Sequence, residues 1–128
     1  MEIQQKPVNF EDERGSIRDI LTHDSIQHLT VITSKKGAVR GHHYHKETTQ
    51  YEYVVSGSLK ILSQKPGEEV VATIAGPDSL ISHDPMEAHA LIALEDTIFL
   101  AITKGVRGGV DYEQDTFRLD VPLEDPTA

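Results

Sequence analysis

The sequence predicts an all-β fold, a sandwich or a barrel. Short β-branched and apolar runs are each closed by turn residues, and they recur about every 8–12 residues. No long segment carries an apolar 3.6-residue period with capping residues. The best helical candidate, Arg18 to His28, is short and ambiguous. Leu29–Thr33 is β-branched and is followed by Lys35-Lys36-Gly37. Gln50–Val55 and Ser58–Ser63 flank the pair Ser56-Gly57, which reads as the tight turn of a hairpin. Val70–Ile74 ends at Ala75-Gly76-Pro77, and Ser79–Ser82 ends at Asp84-Pro85. Ala88–Leu94 runs into the polar pair Glu95-Asp96, and Thr97–Thr103 stops before Gly105. There is no internal repeat and no low-complexity stretch.

A length of 128 residues suits one domain. The expected core is roughly residues 10–120. Residues 121–128 are an acidic C-terminal tail, and Glu124–Ala128 is expected to be frayed. The chain carries 12 Lys and Arg against 21 Asp and Glu, a net charge of -9. That balance argues against non-specific nucleic-acid binding and against a polybasic membrane contact. With no cysteine there is no disulfide, thiolate metal site or cysteine nucleophile. No apolar stretch approaches the roughly 20 residues of a membrane span. The polar start, Met1–Phe10, does not read as a signal peptide, so the expected location is the cytoplasm.

The charge is unevenly placed. Lys35, Lys36, Arg40 and Lys46 lie close together with no acid between Ser34 and Lys46. Such a patch suits an anionic small ligand, or it is a solvated loop with lysines guarding an edge. His42, His43 and His45 fall in the same stretch. In a strand, residues i and i+2 face the same way, so His43 and His45 project two imidazoles from one face and His42 points away. Two such imidazoles can chelate one divalent ion if further ligands come from another strand. His89, a polar residue inside the apolar run Ala88–Leu94, is the best third ligand. Gln50 can add a carbonyl oxygen.

The stretch Gly37, His43-x-His45, Gln50 and Gly57 has the spacing of the first signature of the cupin superfamily, with Gln50 where that signature has an acid. Gly76, Asp84-Pro85 and His89 follow the order of its second signature, without the turn glycine and with a gap one residue shorter. Within the superfamily, Arg40-Gly41-His42-His43-Tyr44-His45-Lys46 resembles the small cupins of bacterial cell-surface sugar biosynthesis. Two branches are similar. Nucleotide-linked 3,4-ketoisomerases share Gln50, and their paired histidines move protons without metal. The cupin domain of capsular-sugar reductases shares Tyr44 and His89 and holds zinc. Glu11-Asp12-Glu13-Arg14-Gly15 also resembles the opening strand of sugar-modifying cupins. The resemblance implies a jelly roll, a double-stranded β-helix barrel with its site inside, and a homodimer.

The resulting expectation is a single-domain, metal-binding cupin that isomerises or epimerises a nucleotide-linked keto sugar for cell-surface polysaccharide. The divalent metal would be Zn, Fe, Ni or Mn, held by His43, His45, Gln50 and His89. A metal there would occupy the histidines, and Glu52, on the face of Gln50 by period 2, would be the base. The competing reading of Glu52 is an exterior residue beyond a strand irregularity. Without metal, His43 and His45 are the acid–base pair. Tyr51, Tyr53 or Tyr112 could donate protons, or serve as packing. Arg40 and Lys46 are the expected phosphate ligands, with Arg14 and Arg18 as second choices. His23, His28 and His83 read as outside the site. The rival functions are a three-histidine metal-dependent dioxygenase and a non-catalytic metal- or sugar-binding cupin.

Overall fold

The computed structural model describes residues 1–104 and 113–128. These form twelve strands: β1 (Glu2–Gln5), β2 (Phe10–Asp12), β3 (Gly15–Ile17), β4 (His28–Ser34), β5 (Val39–Tyr44), β6 (Thr49–Ser56), β7 (Leu59–Gln64), β8 (Val71–Ala75), β9 (Ser79–His83), β10 (Ala88–Ala93), β11 (Thr97–Lys104) and β12 (Phe117–Arg118). One antiparallel sheet has the order β1-β9-β6-β11-β4, and the other β12-β5-β10-β7-β8. β2 and β3 form a separate hairpin. Most connections from β4 to β11 cross from one sheet to the other, as in a jelly roll. Among the described residues the two sheets stay separate, so the expected barrel is an open sandwich rather than a hydrogen-bonded ring.

The expected all-β rhythm is present, with three local differences. Arg18–His28 forms no helix. Arg18 instead pairs with Asp78 at 3.0 Å, and the Gln27 amide donates to the Thr103 carbonyl at 2.8 Å. The second difference is at Ser56-Gly57, which does not close a hairpin. β6 pairs with β9 and β11, whereas β7 pairs with β8 and β10. The chain crosses between the sheets at Gly57, where φ is +89° and a Cβ would stand 2.4 Å from Thr97 Oγ1. Only glycine suits both the left-handed backbone and that approach. Third, the C-terminal tail is anchored rather than frayed. Lys60 pairs with Asp125, and the Leu123 amide donates to His42 Nδ1 at 3.1 Å.

Period-2 alternation sorts the inner faces end to end. On β6 the inward row is Gln50, Glu52 and Val54, on β9 His83 and Ile81, on β10 His89, Leu91 and Ala93, and on β7 Ser63, Ile61 and Leu59. Each row is polar at one end and apolar at the other. The apolar ends meet as the core: Val54, Ile81 and Phe99 from one sheet against Leu59, Ile61, Ala75, Leu91 and Ala93 from the other. The polar ends gather at the opposite end of the sandwich.

Candidate functional site

Two cross-strand pairs, one in each sheet, build the polar end. His89 on β10 lies opposite His43 on β5, and Gln50 on β6 lies opposite His83 on β9. β12 adds Arg118 on the other side of His43. A register shift in the β5–β10 pairing falls between His89 and Ala90. Gly41 permits the close approach there: its φ is +99°, and a Cβ would stand 2.8 Å from the His89 carbonyl oxygen.

The histidines meet as expected, although His45 lies just past the end of β5. Ring centroids are 5.0 Å apart for His43 and His45, 4.8 Å for His43 and His89, and 5.3 Å for His45 and His89. His83, read from the sequence as outside the site, stacks on His89 at 4.4 Å. Behind the trio runs a buried polar chain. His45 Nε2 is 2.8 Å from Gln50 Oε1, and Gln50 Nε2 donates to Glu52 Oε2 at 2.8 Å. His83 Nε2 is 2.7 Å from Glu52 Oε1, and its Nδ1 is 3.7 Å from Glu87 Oε1. Glu87 accepts from Ser63 Oγ at 2.6 Å and pairs with the Met1 amine. Asp115 orients His45: its carbonyl lies 3.0 Å from His45 Nδ1, and its carboxylate accepts from the amides of Lys46, Glu47 and Thr48.

Burial, then the neighbouring His45 and Arg118, push His43 down to about 4, so it is neutral at pH 7. Burial and the other histidines hold His89 well below its ordinary value. His83 goes the other way. Burial alone would lower it, but the charge and hydrogen bond of Glu52, with Glu87 behind, raise it to about 9. Burial also works against Glu87 ionisation, yet His83, the Met1 amine and Ser63 hold this carboxyl below the usual carboxylate range. Asp115 is likewise lowered: its amide and hydroxyl donors outweigh its burial.

A cleft of about 420 Å³ opens over the cluster and is lined by His43, Gln50, His89, Arg40 and Arg118 together with apolar residues. Arg40 is where the sequence suggested, with Nε donating to Ser34 Oγ at 2.8 Å. Lys46 does not line the cleft; its Nζ sits 4.3 Å from the centre of the Phe117 ring. Arg118, from the same short strand, supplies the second cation. Arg14 pairs with Asp12, and Arg18 with Asp78. Glu52 is wholly buried, so it faces inward and is no exterior residue, but it lies behind Gln50 and does not line the cleft. Tyr53 donates to Asp78 at 2.7 Å and Tyr51 lies against Lys104, both away from the cleft. Tyr112 lies outside the described residues.

Sequence reasoning missed His83, Glu87, Asp115 and Arg118. His83 had a readable signal, since the inward alternation of Ser79 and Ile81 continues to it. Arg118 had a faint one, as the sole cation of an acidic segment.

The donor set fits a divalent ion. One nitrogen each of His43, His45 and His89 lies within 4.8 Å of the others. Two nitrogens on one zinc are at most about 4 Å apart, so a separation at that 4.8 Å limit would have to close before all three could bind one ion. His89 Nδ1 meets the Glu87 carbonyl, the arrangement that leaves Nε2 for a metal, whereas His45 Nε2 faces the Gln50 oxygen. Among the described residues, His89 Nε2 is buried with no hydrogen-bond partner.

A family model described as polysaccharide biosynthesis C-terminal domain matches residues 10–103. No curated protein matches the sequence. Solved structures share the fold. The 3,4-ketoisomerase QdtA from Thermoanaerobacterium thermosaccharolyticum, as a variant in complex with TDP-4-keto-6-deoxyglucose, superposes with a TM-score of 0.74 at 20% identity, over 92% of this chain and 86% of that one. WlaRA, a TDP-fucose-3,4-ketoisomerase from Campylobacter jejuni, gives 0.75 at 15% identity, over 91% and 87%. The RmlC epimerase of Mycobacterium tuberculosis gives 0.74 at 18% identity, over 91% and 67%. At these identities the likeness establishes the fold alone, the one that these two isomerases and the epimerase share.

Proposed function

The chain belongs to the polysaccharide biosynthesis C-terminal domain family, and on that premise we propose that it isomerises or epimerises a nucleotide-linked keto sugar. One observation carries the reading: a neutral histidine, His43, opens into a cleft that holds two guanidinium groups, those of Arg40 and Arg118. The cations suit the diphosphate of an activated sugar. A neutral imidazole suits removal of the proton from the carbon beside the carbonyl. The electron pair then moves onto the carbonyl oxygen as an enolate. Transfer of the hydroxyl proton on that first carbon to the enolate oxygen, with return of the abstracted proton to the former carbonyl carbon, gives the isomerised ketone, and return to the opposite face of the first carbon gives the epimer. His45, packed against His43 and bonded to Gln50, is the second member of the acid–base pair. Glu52 acts through Gln50 rather than on the sugar.

The test is product analysis by NMR after incubation with TDP-4-keto-6-deoxyglucose and related nucleotide-linked keto sugars. A 3-keto or epimerised product that is lost in His43→Asn is the expected result. Intact substrates with fully folded protein overturn the reading.

A second reading is favoured by the unpartnered His89 Nε2. Here His43, His45 and His89, with the Gln50 oxygen, hold one divalent ion. Bound there, the ion would serve as a Lewis acid toward the carbonyl or enolate oxygen. His43 would then have no lone pair for the proton. Metal content of wild type and His89→Ala by plasma mass spectrometry separates the two readings. One equivalent lost in the variant supports the ion, and none after reconstitution with Zn, Fe, Ni or Mn removes it. The proposal takes residues 1–128 as one cupin domain, working as a homodimer in the cytoplasm. Sedimentation velocity checks the dimer.

A further inference from the structure

Glu52 and His83 are sealed in the interior, with exposures of 0% and 1%, and neither lines the cleft. Buried charges are costly unless paired and hydrogen-bonded, so their arrangement calls for a physical reason. The hydrogen-bond directions supply one. An ionised carboxylate only accepts, whereas an amide has one donating end and one accepting end. Glu52 Oε1 faces the His83 Nε2 donor at 2.7 Å, and Oε2 takes the Gln50 amide NH₂ at 2.8 Å. The other end of that amide, Oε1, is thereby turned to His45 Nε2, 2.8 Å away.

We propose that Glu52, held by His83, is a positioning residue that fixes which end of the Gln50 amide faces the histidine cluster. The cluster meets a neutral oxygen at position 50, and the negative charge sits one step behind, at position 52. Gln50 and Glu52 are therefore a matched pair. A carboxylate at position 50 would confront the Glu52 carboxylate within hydrogen-bond distance, so the buried pair would have to repel or take up a shared proton. Exchanging the two residues restores one acid and one amide. The inference deepens the proposed reading of the site, but its consequences are open to measurement without turnover.

The experiment compares wild type, Gln50→Glu, Glu52→Gln and the double variant at about pH 8, by thermal melting and by NMR of ¹⁵N-labelled histidine rings. Gln50→Glu is expected to lower Tm by at least about 5 °C, with half or more of that loss recovered in the double variant. Glu52→Gln, which releases the amide, is expected to move the His45 ring-nitrogen signals while the protein stays folded. Additive losses of Tm in the double variant overturn the matched pair. A Glu52→Gln protein that melts lower but keeps the wild-type His45 signals makes Glu52 merely structural and overturns the positioning role. An inactive wild type would count against the isomerase reading alone, because neither readout uses substrate.

Discussion

His83 and Glu52 face each other from neighbouring strands with Nε2 2.7 Å from Oε1, and neither side chain reaches solvent. The contact keeps an imidazolium inside the sandwich beside histidines that are held neutral.

Opposite shifts within one cluster give stability a maximum in pH. His83 is raised to about 9 by Glu52 and Glu87 against its burial. Its contribution is therefore complete below the unfolded value of about 6.5 and is lost as pH climbs toward the folded value. His43, lowered to about 4 chiefly by burial, and His89, lowered by the same cause, act in reverse. Each withdraws stability as pH falls below about 6.5, because the unfolded chain then binds protons that the folded one refuses. Melting of the ion-free protein between about pH 5 and pH 10 is expected to show a maximum near neutrality. Replacing His83 with Gln should flatten the alkaline decline. An undiminished decline in that variant contradicts the assignment.

The cleft cations predict a split between two kinds of variant. Arg118→Ala and Arg40→Ala should each raise KM about tenfold or more, since a charge-assisted bond to phosphate is worth about 1.5–3 kcal/mol. Lys46→Ala, which removes a cation stacked on Phe117, should leave KM within about twofold. Steady-state kinetics on the three variants decides. Equal effects from Lys46 and Arg118 would mean that the phosphate ligands are misassigned.

Gly57→Ala is a test of the crossing between the sheets. A left-handed backbone and a Cβ at 2.4 Å from Thr97 Oγ1 and 2.6 Å from the Asp96 carbonyl should cost about 2 kcal/mol or more. Urea denaturation reads the loss as a lower midpoint. Gly67 also has a positive φ, of +75°, but a Cβ there meets nothing within 4 Å, so Gly67→Ala should cost less. Equal losses would show that backbone strain alone, and not the contact with Thr97, sets the cost at Gly57.

Much of the site was legible because its signals are local. His43 and His45 are two residues apart, and His89 interrupts an apolar run. Glu52 follows Gln50 by the strand period. What was hidden depends on pairing at long range. Ser56-Gly57 has the chemistry of a hairpin turn, and only the partners of β6 and β7 make it a crossing. Lys46 looked suitable because it adjoins the histidines in sequence, but Phe117 captures it. Arg118 replaces it because β12 pairs with β5, where Arg118 lies opposite His43. His83 lay one residue past the expected end of its strand.

The most direct measurement of the central claim is solvent exchange. A nucleotide-linked keto sugar such as TDP-4-keto-6-deoxyglucose is incubated in D₂O with wild type and with His43→Asn, and deuterium at the carbon beside the carbonyl is followed by NMR. The account predicts incorporation by wild type and a rate about 10²–10⁴ lower in the variant, the usual size of a lost general base. Wild-type protein that is folded, binds the sugar and exchanges no proton would contradict it.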